Sequence, residues 1–249
     1  MSTKYFLLTK DAGTSIYNIE NDQIIFPNKS RSYLLPSINM SYYHKNGLFE
    51  SSLMEWCRQF CSVEGIFLDI GAHTGTYSIS MADCCKTVYA FEPQKMTYYA
   101  LCGSVALSNL PNVNCIQTAL GSPEQIGKAT LNIRSHDGGG SSVCQLNPSE
   151  IICQEEISIR TMDSFFEEVP LTDPVSFIKM DVEYNELNVL RGAVETLKRH
   201  NYPKILFEAN TDSSLNKELF EFLENVLSYN VVNVGGYNNM FLATEKLKN

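Results

Sequence analysis

The stretch Gly65-Ile-Phe-Leu-Asp-Ile-Gly-Ala-His-Thr-Gly75 decides how the rest of the chain is read. GIFLDI is a short apolar run closed by turn chemistry, the pattern of a strand. Gly71 and Gly75 then carry the chain through a turn into a helix-like stretch from Tyr77 to Cys84. Glycine lets backbone approach a bound ligand there, because it has no Cβ in the way.

Outward from this stretch, strands and helices alternate. A strand TVYAFE runs from Thr87 to Glu92, a helix follows Pro93, and a strand spans Val113 to Gln117. The rhythm breaks between Gly121 and Arg160, where ATLNIR and EISIR flank HDGGGSS, the pattern of a hairpin with a long tip. Its glycines read as an exposed flexible loop rather than a phosphate cradle, because no strand leads directly into them. The alternation resumes with VSFIKMD (Val175 to Asp181), one helix from about Asn185 to His200 and the strand KILFEA (Lys204 to Ala209). A helix over Ser214 to Leu227 and a hairpin, NVVNV then MFLAT, complete the chain. The expected fold class is α/β: a doubly wound, Rossmann-like, seven-stranded sheet with one antiparallel strand in its C-terminal hairpin and helices on both faces.

Before this domain, YFLLT, SIYNI and QIIF read as short strands separated by DAG and END and closed by PNKS. Residues 1–47 are therefore expected to form a β-rich addition or cap, and residues 48–249 the main domain. The alternative for the addition is a lid facing the substrate. An amphipathic helix is expected from Leu48 to Ser62, with Leu48, Leu53, Trp56, Phe60 and, just past it, Val63 on its apolar stripe.

The glycine turn alone serves nucleotides and other adenosine cofactors alike. Glu92 sharpens it: a carboxylate ending the second strand, about twenty residues on, can accept hydrogen bonds from both ribose hydroxyls. GAHTG lacks the full GxGxxG that a pyrophosphate needs at a helix N-terminus, which argues against a dinucleotide. S-adenosyl-L-methionine, with a sulfonium and an amino-acid tail but no diphosphate, fits better.

FLDIGAHTGTYS, YAFEP, NVNCIQTALG and FIKMDVEYNELNVLRGA, in this order, resemble the successive motifs of FkbM-type methyltransferases across roughly Gly65 to Asn210. The resemblance implies that Asp69, Gly71, His73, Thr74 and Gly75 surround the methionyl end of S-adenosylmethionine, that Glu92 holds its ribose, and that Thr118 and Ala119 border its adenine. Two positions depart from the family pattern. His73 stands where asparagine is usual, and Tyr184 where glycine usually follows DVE.

Ligands of open α/β sheets bind at the carboxyl ends of the strands. On the fourth strand of the alternation, Lys179, Asp181 and Glu183 are spaced by two and share a face if the extended conformation persists. Asp181 is the expected catalytic residue, as base or orienting group, with Lys179 positioning it and Glu183 and Glu208 completing an acidic cleft. Those carboxylates are also a donor set suited to Mg2+. His136 and Asp137 are the alternative acid or base, should the glycine-rich tip close over the site.

The chain carries 19 basic and 28 acidic residues, a net charge of -9, which disfavours a polyanion. The expected partner is a sugar or glycan acceptor, the class of acceptor the family resemblance implies, with O-methylation of a hydroxyl as the reaction and no nucleic acid. Methylation of RNA ribose at the 2' position is the second enzyme reading; the missing aromatic and basic clusters stand against it. A cofactor-fold module that binds without catalysing is the third, and the intact Glu92 and glycine turn argue against it. Eight cysteines without CxxC or zinc-ligand spacing read as reduced structural thiols. With no signal-like or membrane-spanning run, the expectation is a cytoplasmic protein without membrane insertion.

Overall fold

The computed structural model describes residues 4–10, 18–20, 23–25, 31–209, 214–237 and 239–246. The N-terminal part contains β1 (Tyr5–Lys10), β2 (Asn18–Glu20), β3 (Gln23–Ile25), β4 (Arg31–Pro36), α1 (Met40–Asn46) and α2 (Ser51–Cys57). The alternating part follows as β5 (Ile66–Ile70), α3 (Thr76–Met81), β6 (Thr87–Phe91), α4 (Lys95–Leu107) and β7 (Val113–Ile116). Next come β8 (Ala119–Leu120), β9 (Gly127–Ile133), β10 (Cys153–Arg160), α5 (Met162–Glu168), β11 (Val175–Met180), α6 (Glu186–Arg191) and α7 (Val194–Arg199). The chain finishes with β12 (Lys204–Glu208), α8 (Ser214–Glu221), β13 (Tyr229–Asn233) and β14 (Met240–Glu245).

Seven strands form the central sheet in the order β13-β14-β12-β11-β5-β6-β7. β11, β5, β6, β7 and β12 pair in parallel, and β14 runs antiparallel to both neighbours. This is the expected doubly wound sheet with one reversed strand. Side-chain alternation divides its core in two. Leu68, Ile178, Ile205 and Phe207 face a layer built with Phe166, Leu190, Leu197 and Leu219 from α5 to α8. Phe67, Phe177, Leu206 and Leu242 face the opposite layer, with Leu53, Ile79 and Leu101 from α2 to α4.

Several local expectations are corrected. The helix expected over Asn185 to His200 is two helices, α6 and α7, separated at Gly192. A Cβ at Gly192 would run into the Gly121 carbonyl oxygen, so the break admits a close crossing of two chain segments. The Leu48–Ser62 helix shrinks to α2 and a one-turn 3-10 helix at Arg58–Phe60. Trp56 and Val63 leave the expected stripe and are exposed, while Leu48 and Leu53 are buried. The hairpin of β9 and β10 forms as expected and joins β8 in a separate three-stranded sheet.

In the N-terminal part, β1 overlaps YFLLT and β3 overlaps QIIF, while β2 overlaps the end of SIYNI. The DAG and PNKS turns and the start of SIYNI lie outside the described residues. One strand escaped the sequence reading: β4 pairs antiparallel with β1 and lies on α4, where the Leu34 N–H donates to Ser104 Oγ at 2.8 Å and the Ser32 N–H to Ser108 Oγ at 2.8 Å. Among the described residues no helix is long and apolar enough to cross a membrane.

Candidate active site

A cleft of about 270 Å³ opens at the carboxyl edge of the parallel strands. The sheet order sets the sequence of its floor: Thr118 after β7, Glu92 after β6, Gly71 after β5, then Asp181 after β11, with Glu208 ending β12 beside it.

The β5 turn is built around its glycines. Gly71 has φ 77°, and a Cβ there would collide with the Asp181 carbonyl oxygen. That close approach of the ends of β5 and β11 is open only to a residue without a Cβ. Gly75, at φ 87°, caps α3 and packs against Leu101 and Ile79. Asp69 is fully buried; Ser78 Oγ donates to its Oδ2 at 2.5 Å, and its Oδ1 has no hydrogen-bond partner. Burial pushes the Asp69 carboxyl above its usual range, against the pull of the Lys179 ammonium.

Glu92 is buried with both oxygens engaged: the His73 N–H donates to Oε2 at 2.9 Å and the Gln94 N–H to Oε1 at 2.8 Å. Each oxygen keeps a second lone pair. Burial lifts its pKa to about 7 despite those donors. Thr118 and Ala119 line the same end of the cleft, although the Thr118 hydroxyl turns away and donates to Ser158 O at 3.1 Å.

The glycine-rich tip corrects the reading of an exposed flexible loop. Asp137 to Ser141 form one wall of the cleft. The Asp137 carbonyl accepts from His73 Nε2 at 2.7 Å, and its Oδ2 accepts from Asn39 Nδ2 at 2.8 Å. The Gly140 N–H donates to Glu183 Oε1 at 3.0 Å. Since a carbonyl only accepts, His73 carries its proton on Nε2, and burial keeps the ring neutral by lowering its pKa.

At the other end, Lys179 is nearly inaccessible. Its Nζ donates to Asp181 Oδ2 at 3.1 Å and Gly71 O at 3.2 Å, and it lies 5.2 Å above the centre of the Tyr77 ring. Burial opposes its charge, but the Asp181, Asp69 and Glu50 carboxylates outweigh burial and hold the ammonium above its ordinary range. Asp181, Glu183 and Glu208 bring carboxylate oxygens within 4.8 Å of one another. Burial and the neighbouring Asp181 push Glu183 up, and burial with Asp181, Glu183 and Glu50 lifts Glu208 to about 7.

The expected alternation of Lys179, Asp181 and Glu183 on one extended face does not persist. β11 ends at Met180, and Glu183 and Tyr184 take left-handed φ values of 52° and 75°. Lys179, Asp181 and Glu183 still reach the main cleft, whereas Glu208 lines a smaller adjoining cavity of about 70 Å³. Of the other expected residues, Gly71, His73, Glu92, Thr118 and Ala119 line the cleft, and Asp69, Thr74 and Gly75 stand behind it. The sequence reading missed Asn39, Tyr43, Phe49, Glu50 and Tyr77. Phe49 stacks on Tyr42 at 4.0 Å and meets Tyr43 edge-on at 4.9 Å, while Tyr77 donates its hydroxyl to Glu50 at 2.8 Å.

A parallel sheet with one reversed strand, a glycine turn after its first central strand and an acidic residue ending the next define a Rossmann-like methyltransferase fold. Residues 69–231 match the model of the methyltransferase FkbM domain, and the chain belongs to that family. Methyltransferase 1 of Beauveria bassiana (strain ARSEF 2860) is 28% identical over an alignment of length 145 that covers 52% of this chain and 58% of that protein. Among solved structures, an rRNA methylase from Streptococcus thermophilus aligns with a TM-score of 0.49 at 10% identity, covering 79% of this chain and 95% of that one. A precorrin-6y C5,15-methyltransferase from Geobacter metallireducens GS-15 aligns with a TM-score of 0.47 at 14% identity, covering 81% and 92%.

Both departures from the family pattern fall on left-handed backbone. His73 has φ 52° and Tyr184 φ 75°, where asparagine and glycine are the residues that adopt such values most readily.

Proposed function

We propose that the chain transfers the methyl group of S-adenosyl-L-methionine to a hydroxyl of a sugar in a glycan or glycoconjugate. The observation that carries this reading is the order of groups along one cleft: Thr118 and Ala119, Glu92, the Gly71 turn, then Lys179 and Asp181. The chemistry of that order suits adenine, ribose, the amino-acid tail and an acceptor in turn.

The residues fit the cofactor. Glu92 has lone pairs free for the ribose hydroxyls, the Gly71 turn lines the cleft where the methionyl end would lie, and the unpartnered Asp69 Oδ1 is a buried acceptor behind that turn. Bound S-adenosylmethionine supplies an electrophilic methyl on a sulfonium. The chain's own task is to align an acceptor oxygen and take its proton. Asp181 is the proposed base, with Lys179 fixing one of its oxygens. Phe49 and Tyr43 give the acceptor an aromatic wall, and Glu183 and Glu208 add acceptors for its other hydroxyls. Residues 1–47 act as the cap that supplies Asn39 and Tyr43 to this mouth.

The acidic lining and the net charge of -9 favour a neutral acceptor over RNA. The Asp181, Glu183 and Glu208 oxygens are suitable donors for Mg2+, and recovery of activity by Mg2+ after EDTA tests that part of the reading. Eight unpaired cysteines support a reducing, cytoplasmic setting. Incubation with methyl-labelled S-adenosylmethionine and a panel of glycans and RNA tests the function. Label in a glycan is expected; transfer to RNA alone would overturn the acceptor.

A further inference from the structure

Folding gathers three thiols at the far side of the sheet. Cys61 follows the one-turn helix at Arg58–Phe60, just before β5, and Cys84 and Cys85 occupy the turn between α3 and β6. The Lys86 N–H donates to Gly65 O at 2.9 Å, tying the two segments together at the amino ends of β5 and β6. The methyl-transfer cleft lies at the opposite ends of the same strands, about 16 Å away for five residues of strand.

The three sulfurs lie within 4.8 Å of one another, with Cys85 buried and Cys61 and Cys84 half-buried. A cation about 2.3 Å from each of three sulfurs in a plane separates them by about 4 Å, so small side-chain rotations close the set. No disulfide joins them. The Arg58 guanidinium, bonded to Ser80 O at 2.6 Å and Asp83 Oδ1 at 2.9 Å, anchors the Cys61 segment to the end of α3.

We propose that Cys61, Cys84 and Cys85 form a trithiolate site for a thiophilic d10 cation on the face of the domain opposite the cleft. Thiolates select copper(I) and zinc(II) over hard cations. Three sulfurs alone satisfy copper(I), whereas zinc(II) needs solvent as a fourth ligand, so copper(I) is the favoured occupant. Binding forms three metal–sulfur bonds, releases the thiol protons to solvent and changes no oxidation state.

The test titrates the full-length, reduced protein under anaerobic conditions with copper(I) against bathocuproine disulfonate, and separately with zinc(II) against a chromophoric chelator. One equivalent per chain is expected, with copper(I) held more tightly. Cys61→Ser and Cys84→Ser should each weaken binding by about a hundredfold, the share of one ligand, and Cys153→Ser should leave it unchanged. Alkylation of the wild-type protein with iodoacetamide gives a readout free of folding defects. Bound metal should protect Cys61, Cys84 and Cys85 but not the exposed Cys153. Failure to compete with either chelator, binding retained in the two variants, or no protection of the three thiols would overturn the site.

Discussion

On the proposed reading of the cleft, Glu92 ties cofactor binding to pH. Its pKa in the free protein is raised from 4.5 to about 7 by burial. Ribose hydroxyls donating to its oxygens favour the ionised form, so binding below pH 7 must expel a proton. Affinity for S-adenosylhomocysteine should therefore fall as pH falls, by up to tenfold per unit. Between pH 7 and pH 5 the loss is about fiftyfold, or about 2.3 kcal/mol, because half the carboxyl is already protonated at pH 7. Calorimetric titration in buffers of different ionisation enthalpy measures both quantities, and proton release should approach one per site at the acidic end. Glu92→Gln removes the titration, so its profile should flatten across this range, at a weaker overall affinity because one N–H of His73 or Gln94 loses its acceptor. The folded-state pKa is above the unfolded one, so Glu92 also contributes stability to the free protein that is present below pH 4.5 and lost as pH rises through about 7, about 3 kcal/mol in all. A wild-type affinity independent of pH, or an equal slope in Glu92→Gln, would refute the reasoning.

Other perturbations follow from the packing. Gly71→Ala places a Cβ against the Asp181 carbonyl at a left-handed φ and should cost about 2–5 kcal/mol, read by chemical denaturation. Phe177→Ala, in the sheet core and stacked 5.5 Å from Phe67, should cost about 3–5 kcal/mol in the same assay. His73→Asn keeps a residue suited to φ 52° but is too short to hold the Asp137 carbonyl. Global stability should change little, while hydrogen exchange over Ser135 to Ser141 quickens; unchanged exchange would show that His73 does not latch this loop.

The central sheet and its carboxyl edge were legible because their causes are local. IFLDI and VSFIKM announce strands, and DIGAHTG and Glu92 fall where those strands must end. Contacts between distant segments left weaker traces. Gly192 looks like an ordinary helix residue until the Gly121 carbonyl is placed beside it. Phe49 and Glu50 fall inside the helix expected from Leu48 to Ser62, yet they wall the cleft because β4 lies on α4 and brings the following segment over the sheet edge. Asp137 to Ser141 looked loose because their partners, His73, Asn39 and Glu183, are far away in sequence. Cys61 shows no ligand spacing with Cys84 and Cys85 for the same reason.

The most direct measurement compares wild type with Asp181→Ala for methyl transfer to the accepted glycan and for affinity toward S-adenosylhomocysteine. Loss of a general base removes about two to four orders of magnitude of rate. Turnover should drop by at least about a hundredfold, with cofactor affinity little altered because Glu92, Thr118 and the Gly71 turn are untouched. Turnover retained in Asp181→Ala would contradict the assignment of the reaction centre.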